Sequence, residues 1–309
     1  MRIARRVCLI LMRTLTLFAF ICAAALACGS HGTRESLLVS TAWLADHLRD
    51  PNLVLLSVGD AKQYAQAHIP GALQLDYASI QTGATPGHLT TELPPMADLV
   101  ETFSKLGVSN DSRIVLYFMA DTLASRTTRV FLTLDAMGLG DRTSLLDGGY
   151  QVWQSENRPV TADVRPVTRG KLVPCARPDI IADLDYVRAN LERPGVDIID
   201  ARNPEYYTGA SHADGKRAGH IPGATNLTYS TLLDSSGKFK SPEVLASMFH
   251  DAGVKPGDRV VSYCHIGQQA TVVYFVARYL GYDARLYDGS WEDWSAHTEL
   301  PASVVSEKR

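Results

Sequence analysis

Gly219-His220-Ile221-Pro222-Gly223-Ala224 repeats Ala67-His68-Ile69-Pro70-Gly71-Ala72 after 152 residues, and that repetition decides the architecture. Two more segments return in the same order. Asp111-Ser112-Arg113-Ile114-Val115-Leu116-Tyr117 comes back 146 residues on as Gly257-Asp258-Arg259-Val260-Val261-Ser262-Tyr263. Leu146-Asp147-Gly148-Gly149-Tyr150 with Trp153 comes back as Tyr287-Asp288-Gly289-Ser290-Trp291 with Trp294. A period this long marks a duplicated domain rather than a solenoid unit. The 309 residues, at about 100–200 per domain, accommodate two such units, each able to bury its own core.

Around the second copy, Val196-Asp197-Ile198-Ile199-Asp200 reads as a strand, Pro242 to Ala252 as an amphipathic helix, and Arg259 to Tyr263 as the central strand. Ala270 to Leu280 reads as a helix stopped by Gly281, and Ala284 to Tyr287 as a further strand. Strands alternating with helices predict an α/β fold: two tandem domains, each a central parallel sheet flanked by helices. The proline-punctuated stretch 161–177, with Pro166 and Pro174, reads as an extended linker. The expected organisation is a first domain over 37–160, this linker, and a second domain over 178–303.

Sites in such sheets form at the carboxyl ends of strands, and Cys264 stands at one. It follows the buried run Val260-Val261-Ser262-Tyr263 and precedes the helical run beginning Ala270-Thr271-Val272-Val273. The turn between them, Cys264-His265-Ile266-Gly267-Gln268-Gln269, aims successive backbone N–H groups and a helix N-terminus at the sulfur, which favours the thiolate. A plain buried thiol is the alternative, but a core cysteine has no need of a polar Gly-Gln-Gln segment after it. Gln268 and Gln269 can donate hydrogen bonds without charge, or simply open the following helix. His265 can add a hydrogen bond or, when protonated, a positive charge near the sulfur; a solvent-facing loop histidine is the other reading.

Composition excludes little. With 46% hydrophobic residues, 20% charged and a net charge of −3, no basic run in the body points to nucleic acid, while small anionic ligands remain compatible. His31 and His47 are isolated and no Cys/His cluster has ligand spacing, so no metal site and no cofactor are implied. The N-terminus reads as a secretory signal over 1–27: Arg2, Arg5, Arg6 and Arg13 precede an apolar stretch from Leu15 to Ala27, which ends in Ala25-Leu26-Ala27-Cys28. The same site fits a permissive lipobox, so soluble export to a periplasm or cell envelope and a lipid anchor on Cys28 both stay open. Beyond that signal or lipid, no membrane contact is expected. Of five cysteines, Cys8 and Cys22 leave with the signal and Cys28 lies at the new terminus, so only Cys175 and Cys264 remain in the folded part. Cys175, beside Pro174, reads as a linker residue without a role. A chain so poor in cysteine is not a disulfide scaffold, and a lone thiol in an oxidising compartment calls for a functional explanation.

The duplicated His-Ile-Pro-Gly-Ala box, the Asp200-Ala201-Arg202 strand end, the single-cysteine loop and the Asp288-Gly289-Ser290 turn, in this order, resemble the tandem-domain rhodanese family of sulfurtransferases. The resemblance covers residues 37 to 300. It implies a silent first domain, where Phe118 occupies the place of Cys264, and an active second one. It further implies that Cys264 takes the sulfane sulfur of thiosulfate or 3-mercaptopyruvate as a persulfide and passes it to cyanide or a thiol. Neither substrate signature of the family is intact. The residues after the cysteine are neutral apart from His265, the serine of mercaptopyruvate-type loops is Ile266, and an arginine that often follows Asp-x-Arg is Tyr206.

Candidate substrate residues are Arg202, Lys216 and Arg217, with Asp60 and His68 carried over from mercaptopyruvate-type relatives. Each has a plainer reading. Arg202 reads more readily as a buried ion-paired residue that ties strand end to loop, Lys216 and Arg217 read as facing an anion or merely water, and His68 and His220 read more readily as side chains that hold the turns around Pro70 and Pro222. A cysteine phosphatase needs an arginine six positions after the nucleophile, and that position is Ala270. A non-turnover persulfide carrier serving a protein partner needs the same loop and stays open as the alternative.

Overall fold

The computed structural model of the protein describes residues 37–83, 88–119, 124–213 and 215–305. The expected signal over 1–27, Cys28 and His31 lie outside the described residues. Two five-stranded sheets form, with every neighbouring pair parallel. The first holds β1 (Leu38–Val39), β2 (Leu53–Val58), β3 (Leu73–Leu75), β4 (Arg113–Phe118) and β5 (Thr143–Leu146), in the order β1-β5-β4-β2-β3. The second holds β6 (Ile181–Ala182), β7 (Val196–Asp200), β8 (Thr225–Asn226), β9 (Arg259–Tyr263) and β10 (Asp283–Tyr287), in the order β6-β10-β9-β7-β8. The sequence repeat is thus a repeat of topology.

The central strands read as unbroken apolar runs because both of their faces are covered. All six residues of β2 are buried, and so are the last four of β9. The expected helix ends hold. Pro242–Asp251 opens with Pro242 in its first turn and Ser241 accepting the Val244 N–H at 3.4 Å. Ala270–Leu280 stops at Gly281 in the left-handed conformation, φ 86°.

One apolar cluster runs through both halves, joining Leu56, Val58 and Leu116 to Val260, Val273 and Phe275. Two smaller clusters each belong to one half, one holding Trp153 and the other Trp291 and Trp294. The halves meet mainly along the helices Ala124–Ala136 and Ala270–Leu280. Phe131 packs edge-on against Phe275 at 5.0 Å, and the hydroxyls of Thr128 and Thr271 lie 2.7 Å apart. Tyr274 donates to the buried Asp135 carboxylate at 2.6 Å, which also takes Arg177 at 2.6 Å and Arg278 at 3.4 Å. A buried carboxylate without such partners would be strongly destabilising.

The stretch 161–177 is extended and pinned along the first half: Gly170 donates to the Ser104 carbonyl, Cys175 to Met137 and Arg177 to Ala136. Cys175, read as a residue without a role, is disulfide-bonded. The repeated histidines close each half on the chain that follows it. His68 stacks on Tyr64, its Nδ1 lies 2.7 Å from the Tyr64 carbonyl, and its backbone pairs with Thr161. His220 stacks on Tyr207 with the same 2.7 Å contact, and its backbone pairs with Ser303.

Candidate active site

Cys264 leaves the carboxyl end of β9 and is fully buried; among the described residues it is the free cysteine. Its N–H donates to the Ser290 hydroxyl at 3.1 Å, and that hydroxyl donates on to the Tyr287 carbonyl at 2.9 Å. Ser290 is buried with φ 53°, a left-handed conformation costing a non-glycine residue about 1–3 kcal/mol, so the surrounding packing holds it there. Downstream, Trp291 and Glu292 donate their N–H groups to the carbonyls of Cys264 and His265 at 3.0 and 2.9 Å. The two strand-end loops of β9 and β10 are therefore fastened to each other through backbone.

The N–H groups of His265, Ile266, Gly267, Gln268 and Gln269 have no acceptor among the described residues. Five consecutive donors follow the sulfur. Gly267 has φ 81°, and a Cβ there would come within 2.6 Å of the Asp288 carbonyl, so the turn admits only glycine. The Gln269 side-chain oxygen is buried without a partner.

The first half supplies the other wall. Arg129, fully buried on the Ala124–Ala136 helix, donates to the Gly267 carbonyl at 3.3 Å, to both carboxylate oxygens of Asp288, and to the Thr91 carbonyl. Burial opposes its charge, but Asp288 outweighs that and holds the guanidinium protonated above its ordinary range. Thr91, with φ 65°, donates its hydroxyl to the Ile266 carbonyl, and Thr90 donates its N–H and hydroxyl to Glu292 at 2.8 and 3.1 Å. Tyr77 donates to the Gln268 side-chain oxygen at 3.1 Å, and the Gln268 amide donates to Ser125 at 3.3 Å. Burial pushes the Tyr77 phenol up to about 12, so it stays a donor at neutral pH.

The sequence candidates fall on varied ground. Arg202 is 2% exposed, with both Asp200 carboxylate oxygens and the Gly219 carbonyl as acceptors, and its guanidinium lies 4.8 Å from the Trp291 ring centroid. The structure thus gives it the ion-paired role. Lys216 lies 3.9 Å from Glu292, and Arg217 donates to the carbonyls of Leu300 and Trp294. Asp60 is exposed and caps the Ala61–Gln66 helix by accepting from Lys62 and Gln63. His68 is buried among the contacts of its own half. Among the described residues, the hydrogen bonds of Asp60 and His68 stay within the first half and the segment 161–163. His265 packs edge-on against Tyr206 at 4.5 Å, and burial, then Arg202, pushes its pKa down. The protonated reading of this residue is therefore disfavoured, and the imidazole at the loop is neutral.

Arg129, Thr91 and Tyr77 escaped the sequence, and Ser290 entered it only as part of the Asp288-Gly289-Ser290 turn, without its contact to the Cys264 N–H. One signal was available: at the repeat distance of 146 residues, Arg129 faces Phe275, a charge against a ring inside two otherwise matching helices.

Residues 40–156 and 183–297 each match the family described as Rhodanese-like domain. The thiosulfate sulfurtransferase of Azotobacter vinelandii is 29% identical over 269 residues, spanning 87% of this chain and 97% of that protein. The sulfur carrier protein TtuD of Thermus thermophilus is 32% identical over 286 residues, spanning 88% and 98%. Among solved structures, YnjE shares the fold with a TM-score of 0.78 at 23% identity, over 87% of this chain and 68% of that one. EanB in complex with ergothioneine shares it at 0.76 and 21% identity, over 88% and 71%. With both halves matched and relatives similar along almost their full length, the chain belongs to the rhodanese family, as a tandem pair of rhodanese-like domains.

Proposed function

We propose that the protein moves a sulfane sulfur from a small anionic donor, thiosulfate or 3-mercaptopyruvate, to a thiol or cyanide through a persulfide on Cys264. By family the chain is a sulfurtransferase; the donor, the acceptor and the sulfur-bearing residue are the proposal. One observation carries it. A buried free sulfur stands at the head of five consecutive backbone N–H groups that no described group occupies. Such a run favours negative charge on the sulfur and on the atom it acquires.

In the first step the Cys264 thiolate attacks the outer sulfur of thiosulfate. The new Sγ–S bond forms as the donor S–S bond breaks, and the bonding pair leaves with sulfite. The negative charge then rests on the outer sulfur of the persulfide. With 3-mercaptopyruvate the bond broken is C–S, the pair leaves as the pyruvate enolate, and the proton stays on the transferred sulfur. In the second step a thiolate or cyanide attacks the outer sulfur, and the S–S pair returns to Sγ. The loop donors serve both charged states, and the Arg129–Asp288 pair keeps their carbonyl side turned away.

Intact-mass measurement after incubation with each donor, followed by steady-state turnover with cyanide or a small thiol, tests this reading. Gain of one sulfur atom on Cys264 and its loss to the acceptor is the expected result. No gain with either donor overturns it. The similarity to TtuD favours a second reading, a carrier that loads one sulfur per chain and stalls until a partner protein is added. Stoichiometric loading without turnover on small acceptors would select it. Export is part of the proposal and rests on the Arg2 to Ala27 pattern. Finding the full-length precursor uncleaved in the cytoplasm of its host would remove it.

A further inference from the structure

We propose that Arg126, a residue of the half that lacks the cysteine, supplies the positive charge that captures the anionic donor at the mouth of the Cys264 site. The inference rests on the reading of Cys264 as the sulfur acceptor and adds the charge its loop lacks. Capture of a small dianion needs a cation that no carboxylate already occupies. Around this loop most are occupied. Arg129 is paired with Asp288, Arg202 with Asp200, and Lys216 faces Glu292. Arg217 serves two carbonyls, and burial together with Arg202 keeps His265 neutral. Among the described residues Arg126 makes no ion pair; it is exposed, and its guanidinium carbon lies 5.4 Å from the Tyr77 ring centroid.

Tyr77 connects that cation to the loop, because its hydroxyl donates to Gln268, the fourth residue after Cys264, at 3.1 Å. The Gln268 amide in turn reaches Ser125, the neighbour of Arg126, at 3.3 Å. A guanidinium held over an aromatic ring keeps its charge and its N–H fork, which matches a sulfonate or carboxylate in two parallel hydrogen bonds. Helix stability does not explain the residue. Arg126 stands in the first turn of Ala124–Ala136, where a cation opposes the helix dipole and no acidic residue of that turn compensates. The matching position of the second half, 146 residues on, is the buried Val272. The class of ligand is a small anion bearing a sulfonate or carboxylate beside its transferable sulfur.

Arg126→Gln and Arg126→Lys test this with two readouts, and the exposed position lets both variants fold. With thiosulfate as donor, KM rises about tenfold in Arg126→Gln while kcat stays within about threefold; Arg126→Lys recovers most of the loss, and the salt dependence of kcat/KM flattens only in the glutamine variant. Alkylation of Cys264 supplies a readout free of sulfur chemistry. The iodoacetate rate falls about tenfold in Arg126→Gln while the uncharged iodoacetamide rate holds. An unchanged KM together with an unchanged iodoacetate-to-iodoacetamide ratio overturns the inference, as does failure of both reagents to reach Cys264 in the wild type. If the wild type gains no sulfur, the persulfide reading fails, yet the alkylation ratio still decides the role of Arg126.

Discussion

Phe118 and Cys264 end corresponding central strands, and their surroundings differ in kind. The sulfur sits between a strained serine, a glycine turn and a buried arginine–aspartate pair. The ring of Phe118 sits against Gly149 and Gly237, so closely that a Cβ on either would come to 3.0 or 3.3 Å from it. Each strand end is covered by a segment of the opposite half. Tyr77 and Thr91 reach the Cys264 loop with hydrogen bonds, and Thr90 reaches the neighbouring Glu292. At the Phe118 end, Gly237 brings its backbone against the ring, and Phe239 donates its N–H to Asp147 at 3.0 Å. Arg129 answers Asp288, its counterpart at the repeat distance is Phe275, and burial pushes the Asp147 carboxyl's pKa up. The comparison teaches that the two strand ends differ by more than one sulfur: the first half sends Arg129, Thr91 and Tyr77 to the Cys264 loop, while its own Asp147 takes a backbone N–H from Phe239.

The sharpest way to break this asymmetry is Cys264→Ser. Sulfur uptake and turnover should fall at least about a thousandfold with the fold intact, checked by intact mass and circular dichroism. Residual transfer would move the nucleophile elsewhere. Next in size is Arg129→Met, which leaves Asp288 buried without its partner and should cost about 3–5 kcal/mol in denaturant unfolding. Adding Asp288→Asn should return much of that stability and little of the turnover, because Gly267 remains unheld; joint recovery of both would make Arg129 structural only.

Ser290→Ala should cost about 1 kcal/mol, read as roughly a fivefold loss of kcat/KM, since the Cys264 N–H loses its acceptor while the backbone keeps its course. A smaller effect belongs to His265. Its folded pKa lies below its ordinary value, so the unfolded chain takes up the proton first as pH falls. Its contribution is fully present above about pH 6.5 and is lost as pH drops through the folded pKa. Unfolding midpoints at pH 7.5 and 5 should therefore converge somewhat in His265→Gln. The smallest effect is expected from Phe118→Cys. A sulfur there meets no arginine pair, so it should gain no persulfide; turnover at that position would show that the cysteine alone is sufficient.

The parallel sheets, the helix ends and the placement of Cys264 against Phe118 were legible because each is a local pattern repeated at a fixed distance. Apolar runs without alternation report coverage on both faces, and Gly281 reports a helix stop. The walls of the site were less legible. Arg129 and Thr91 reach Gly267 and Ile266 from across the junction of the halves, and no periodicity encodes which loop a distant side chain will touch. Burial decides the reading of charge as well: Arg202, a candidate anion binder that also read as a buried ion-paired residue, is engaged by Asp200 two residues away, and burial, then Arg202, lowers the pKa of His265. Sequence shows which groups can ionise, whereas the packing around them decides which stay available.

The crossed coverage of the two strand ends makes the doubling hard to reverse. A gene that lost its first copy would strip from the second the tyrosine, the threonine and the arginine that hold the loop around its cysteine, opening that sulfur to peroxide and stray thiols. The half with Phe118 at its strand end thereby shelters the half with Cys264.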